Sequence, residues 1–216
     1  MKTFLLRSAL IGTILWTASC TSLYFNTMEK LGVHKRDIMS SRVKEARSSQ
    51  QAAKQEFASA LEQFKSVVAF PGGHLEAKYT KLNAALQKSE ARAADVQDRI
   101  AAVETVSHAL FQEWKTELKQ YSNPQLRRSS EQQLKDAQVR YQSLIDAMKK
   151  AESRLEPVLQ PLRDQVLFLK HNLNAKAIGA LAEEVTFIET KVDELVRDME
   201  AAIREADEFI AAIAPE

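Results

Sequence analysis

The chain has 216 residues, with 30 basic and 29 acidic side chains and a formal charge of +1. A balance this close to neutral, without a basic stripe, lacks the electrostatic footprint of a nucleic-acid binder, and none is expected as a partner. A single cysteine excludes an intramolecular disulfide, and five glycines with five prolines leave so little punctuation that long uninterrupted helices are expected.

Lys2 and Arg7 open the chain, an apolar run from Ala9 to Trp16 follows, and Thr17-Ala18-Ser19 lead into Cys20. A basic start, an apolar run and small residues, in that order, predict a secretory signal spanning residues 1–19. The apolar run falls far short of the roughly 20 residues that cross a bilayer as a helix. With its cysteine directly after the small residues, the segment resembles a bacterial lipoprotein signal. That resemblance implies that Cys20 is lipidated, becomes the new N-terminus and ties the protein to a membrane. Thr17 departs from the pattern, which favours Leu three residues before the cysteine. Thr21 stands where Asp marks inner-membrane retention among enterobacterial lipoproteins, which implies the outer membrane. Two or more acyl chains hold firmly where one binds only marginally. An uncleaved anchor and an ordinary cleaved signal are the competing readings. Removal of residues 1–19 takes away Lys2 and Arg7 and leaves 28 basic against 29 acidic side chains.

Residues 20–216 read as one domain. Breakers at Phe70-Pro71-Gly72-Gly73, Ser122-Asn123-Pro124 and Asn172-Leu173-Asn174 divide it into four helices, at about 25–69, 75–121, 125–171 and 175–213. Each would be roughly 60–70 Å long at 1.5 Å per residue. The first carries Met39, Val43, Ala46, Gln50, Ala53, Phe57, Ala60, Phe64 and Val67 at alternating steps of four and three. The second continues the same walk from Leu75 through Leu82, Leu86, Val96, Ile100 and Val103 to Leu110, Trp114, Glu117 and Tyr121. In the third it runs from Leu134 through Leu144, Met148, Ala151, Leu155, Val158 and Leu162 to Leu169. The fourth is apolar at every step from Ile178 to Ile213. Seams kept at a seven-residue period predict coiled-coil-like packing, and short connections make neighbours antiparallel. The expected fold is all-α, an elongated antiparallel four-helix bundle running up-down-up-down. Pro157 and Pro161 interrupt the third helix, but the walk passes both without a skip, so a kink is expected there and not a chain reversal.

Tyr24-Phe25-Asn26-Thr27-Met28-Glu29-Lys30-Leu31-Gly32-Val33-His34-Lys35-Arg36-Asp37, Ala60-Leu61-Glu62-Gln63-Phe64-Lys65 and Leu169-Lys170-His171-Asn172-Leu173-Asn174-Ala175 resemble stretches of an uncharacterised proteobacterial family, a domain of unknown function. The resemblance covers most of residues 20–216. It implies an envelope-associated helical protein and brings no activity with it.

No constellation for catalysis is present. His-Glu-x-x-His, a Walker loop and the dinucleotide glycine fingerprint are all missing. Di-iron bundles use Glu-x-x-His, and here the residues three before the histidines are Leu31, Pro71, Thr105 and Phe168. A non-enzyme without a cofactor is expected. His74 and His171 approach the same end of the bundle, but two histidines without a third ligand make a weak metal signal, and no metal is assigned.

The topology gathers two candidate surfaces. Far from Cys20, Phe70, Val166, Leu167, Phe168, Lys170 and His171 form a candidate partner patch. Val166 to Leu169 are apolar on every side of the helix, more than one seam needs, and Leu167 lies outside the seam. A well-packed end cap is the competing reading. Near Cys20, Lys30, His34, Lys35, Arg36, Arg127 and Arg128 form a candidate basic patch able to meet anionic headgroups, or a plain solvated helix end. The expected function is that of a periplasmic structural or interaction lipoprotein, a post that docks another envelope protein or a second copy of itself. The alternative is a bundle that binds a lipid, another apolar ligand or a metal, with its cavity near Pro157.

Overall fold

The computed structural model describes residues 24–25, 27–29, 31–69, 74–172 and 175–213. The signal segment with Cys20, and Lys30 and Phe70 of the candidate patches, lie outside the described residues. Among the described residues there is no strand. The long elements are α1 (Lys35–Ala69), α2 (Leu75–Glu117), α3 (Pro124–Ser153), α4 (Leu155–His171) and α5 (Ala175–Ile213).

The expected break at Ser122-Asn123-Pro124 forms by a local mechanism. α2 tightens into a 3-10 turn at Leu118–Gln120. The Asn123 side-chain oxygen then accepts hydrogen bonds from the backbone N–H groups of Gln125 (2.8 Å) and Leu126 (3.3 Å). Pro124 takes the first helical position, where its missing N–H would have had no partner anyway.

Two boundaries differ from expectation. The first predicted helix, about 25–69, is interrupted before Lys35. The N–H of Val33 bonds the carbonyl of Met28 (3.0 Å), and that of Gly32 bonds Glu29 (2.9 Å). These paired bonds close a short helical stretch with a glycine-centred cap, and Gly32 sits at φ +81, a conformation that excludes most side chains. Met28 and Val33, the apolar pair of that cap, pack on the main core, and Phe25 is buried in it. The predicted third helix is two helices joined at Arg154. Placing the junction there puts Pro157 in the first turn of α4, where it takes no hydrogen bond away. Arg154 keeps helical dihedrals (φ −86, ψ −12), so the chain does not reverse, and Pro161 lies inside α4. The seam crosses the junction intact, with Ala151 and Leu155 both buried.

α1 packs between α2 and α5, and the α3–α4 rod packs between the same two helices from the other side. The α1–α5 pair is antiparallel, since Arg47, Lys54 and Lys65 meet Asp207, Glu200 and Glu189 in falling order. Glu45 meets Arg99 across α1–α2, and Glu104 and Glu90 of α2 meet Lys149 of α3 and Arg163 of α4. Charges flanking the seams therefore mark the register on three sides of the bundle. On the fourth, Lys150 and Arg154 both reach Asp198 of α5, at 2.8 and 3.1 Å, strapping the α3–α4 junction to that helix.

Inside, Phe57, Phe64, Ile100, Leu144, Met148, Leu155, Ile188 and Leu195 are fully buried, each worth about 1.5–3 kcal/mol on removal from water. Ala46, Ala53, Ala93, Ala151, Ala202 and Ala206 are buried too and let the backbones approach. Gln50 lies on the α1 seam with both side-chain amide atoms buried and without a hydrogen-bond partner among the described residues, as does the Ser89 hydroxyl of α2. Such groups cost about 1–3 kcal/mol each. The α2 seam holds from Leu82 to Ser107 and then rotates. Phe111 and Leu118 are buried, whereas Glu117 and Tyr121, predicted on the seam, are exposed. α1 begins opposite Glu113, so α2 runs on beyond it with α3 beside it. Phe111, Leu118 and Leu134 form a small separate cluster there.

Candidate functional site

The bundle has a base, where residues 24–25, 27–29, 31–39, 110–140 and 209–213 meet, and a tip, formed by the ends of α1, α4 and the starts of α2 and α5. Sequence reasoning placed one candidate surface at each.

At the base the predicted basic patch divides. His34, Arg36, Arg127 and Arg128 are exposed, and Arg127 pairs with Glu131 at 3.0 Å. Lys35 does not belong to the patch. It is only 7 % exposed and bridges Glu29 of the N-terminal segment and Glu113 of α2, the latter at 2.8 Å. A buried ammonium needs such partners, because leaving it unpaired would cost several kcal/mol. Burial works against the Lys35 charge, but hydrogen bonds to Glu113 and Glu29 outweigh it and hold Lys35 above its ordinary range. The hydrogen bond from Lys35 holds Glu29 below the usual carboxylate range. Burial pushes Glu113 above it in spite of the same lysine. The cluster therefore works as a latch that fixes residues 24–33 to α2.

Two cavities flank this latch. The more open one, about 630 Å³, is lined by Glu29, His34, Lys35, Glu113 and Glu117. The other, about 260 Å³, lies between all four rods at the base. Met39, Phe111 and Phe209 are its most buried lining residues, and Arg36, Gln133 and Arg140 line it where it meets solvent. Leu110, Trp114 and Arg36 line both cavities. The Trp114 indole N–H donates to the Ser130 hydroxyl at 2.8 Å, which fixes the ring between α2 and α3. Sequence reasoning missed this site because it saw Leu110 and Trp114 as ordinary seam residues. Val158, Leu159 and Leu162 around Pro157 are buried in the core.

At the tip the predicted patch is also corrected. Val166 is buried, because its spacing of four from Leu162 and three from Leu169 keeps it on the core side. Leu167 and Phe168 are 57 % and 40 % exposed, and Lys170 and His171 are exposed beside them. His74 and His171 both face solvent, and the described residues contain no group of three or more His, Cys, Asp or Glu that could hold a metal. No described helix is long and apolar enough to cross a membrane.

No curated protein matches the chain. A family model, described as a protein of unknown function (DUF2959), matches residues 24–213, from the docked N-terminal segment to the last residue of α5. The chain belongs to this family, DUF2959.

Proposed function

We propose that the protein is a non-enzymatic periplasmic lipoprotein, tethered through lipidated Cys20 to the outer membrane, that presents its tip to an envelope partner. The observation that carries the reading is the exposure of Leu167 and Phe168 beside Lys170 and His171, at the end of the bundle opposite the N-terminal segment. Neither side chain contributes to the core, and adjacent exposed apolar residues with polar neighbours are what a docking surface offers. The order of charges, apolar run and small residues before Cys20 supports the tether. The latched segment 24–33 supports a bundle held close to the lipid, because Phe25 is buried only five residues after Cys20.

The test is crosslinking in intact cells, followed by mass spectrometry, with Leu167→Lys combined with Phe168→Lys. Both positions are exposed, so the variant should keep its thermal midpoint and lose at least ten-fold in adduct yield. An undiminished adduct would remove the tip from the reading. In parallel, a fatty-acid probe should label wild type and not Cys20→Ala; equal labelling of the two would remove the tether.

A further inference from the structure

The small basal cavity has a chemistry that the tip and the tether leave unused. Its interior is apolar and aromatic, and all four rods contribute to it. Two arginines, Arg36 and Arg140, and the amide of Gln133 line it at solvent-exposed positions, and no carboxylate lines it. The neighbouring cavity differs, since Glu29, Glu113 and Glu117 offset its cations. Among the described residues Arg140 has no acidic partner, and Arg36 has only a 4.0 Å approach to the adjacent Asp37. An apolar hole lined by two guanidinium groups and no carboxylate is complementary to an apolar chain that ends in an anion.

We infer that this cavity binds a fatty acid, its chain along the bundle axis against Met39, Phe111 and Phe209 and its carboxylate at Arg36 and Arg140. The volume limits how much of a chain can enter. About 260 Å³ lies below the roughly 300–1,000 Å³ of pockets for drug-sized ligands, which suits part of one chain and not the two of a phospholipid. Trp114 forms one wall, so it reports on the chain directly.

The chain contains two tryptophans, so full-length protein with Trp16→Phe leaves Trp114 as the sole tryptophan, excited selectively beyond the tyrosine absorption. Titration with dibrominated stearate, kept below its micelle concentration, should quench that emission saturably. Arg36→Gln with Arg140→Gln should weaken the binding at least ten-fold while leaving the circular dichroism and thermal midpoint unchanged. The brominated alcohol of the same length should bind at least ten-fold more weakly to the parent protein. Absence of saturable quenching would overturn the proposal, as would quenching indifferent to both arginines or to the carboxylate. Equal quenching by phosphatidylglycerol vesicles with brominated chains would also overturn it, assigning the base to a bilayer surface. None of these outcomes depends on the tip or on Cys20 lipidation, so failure here leaves the proposed function standing, and the reverse holds.

Discussion

The middle of the bundle and its base are built from the same seams but end differently. Half-way along, α1, α2, α5 and the α3–α4 junction are all present, and Leu195, Ala151 and Ile100 have no solvent exposure. At the base the helices stop at unequal heights. Leu110 and Trp114, seam residues by period, have too few neighbours to be covered and line cavities. A heptad seam closes only where every rod is present to receive it, and where one runs out the same residues become a binding surface.

The contrast breaks first at Leu195. Leu195→Ala should destabilise the protein by about 2–5 kcal/mol, because the sealed middle cannot collapse around the hole. Leu110→Ala, at a half-buried cavity wall, should lose only about 1 kcal/mol on area grounds. Denaturant midpoints measure both, and equal losses would mean that the base is as closed as the middle.

A smaller effect is expected at the strap on the α3–α4 junction. Burial would raise Asp198, but Lys150 and Arg154 outweigh it and hold its carboxyl below the usual aspartate range. A carboxyl lowered on folding contributes stability above its unfolded value, and that contribution is lost as the pH falls through its folded value. Asp95, lowered chiefly by the 2.6 Å hydrogen bond from Ser49, has the same sign. The bundle should therefore lose stability as the pH drops below about 4. Asp198→Asn should cost roughly 1–3 kcal/mol near neutrality and flatten that acid limb. An unchanged limb in thermal melts across the acid range would show that the strap contributes nothing.

The smallest global effect belongs to the N-terminal cap. A methyl group on Gly32 meets no atom within 4 Å, so Gly32→Ala tests conformation without a clash. The φ of +81 should cost about 1–2 kcal/mol, confined to residues 24–33. Hydrogen exchange should speed up at Val33 and leave the amides of α5 as protected as before. Equal acceleration in α5 would make the docked segment part of the global folding unit.

Sequence alone determined the seams through the middle of all four rods, because hydrophobic period is a local property that one helix carries by itself. Met39 to Val67, Leu82 to Ser107 and Leu181 to Phe209 follow the predicted walk closely, and the cap at Asn123-Pro124 was equally legible. The exposure of Leu167 was legible too, from its place outside the seam. Gly32 was present to be read, but a single glycine in a long apolar pattern does not show whether the helix ends there. Pro157 announced an interruption without locating it; the junction fell at Arg154, which leaves the missing N–H of Pro157 in the first turn of α4 and lets Arg154 meet Asp198 on α5. Tertiary structure alone decided that Lys35 is buried between two glutamates and that four helix ends enclose an apolar cavity edged by two arginines. Each of these depends on the heights at which separate helices start and stop, and helix height is set by contacts between residues far apart in the chain.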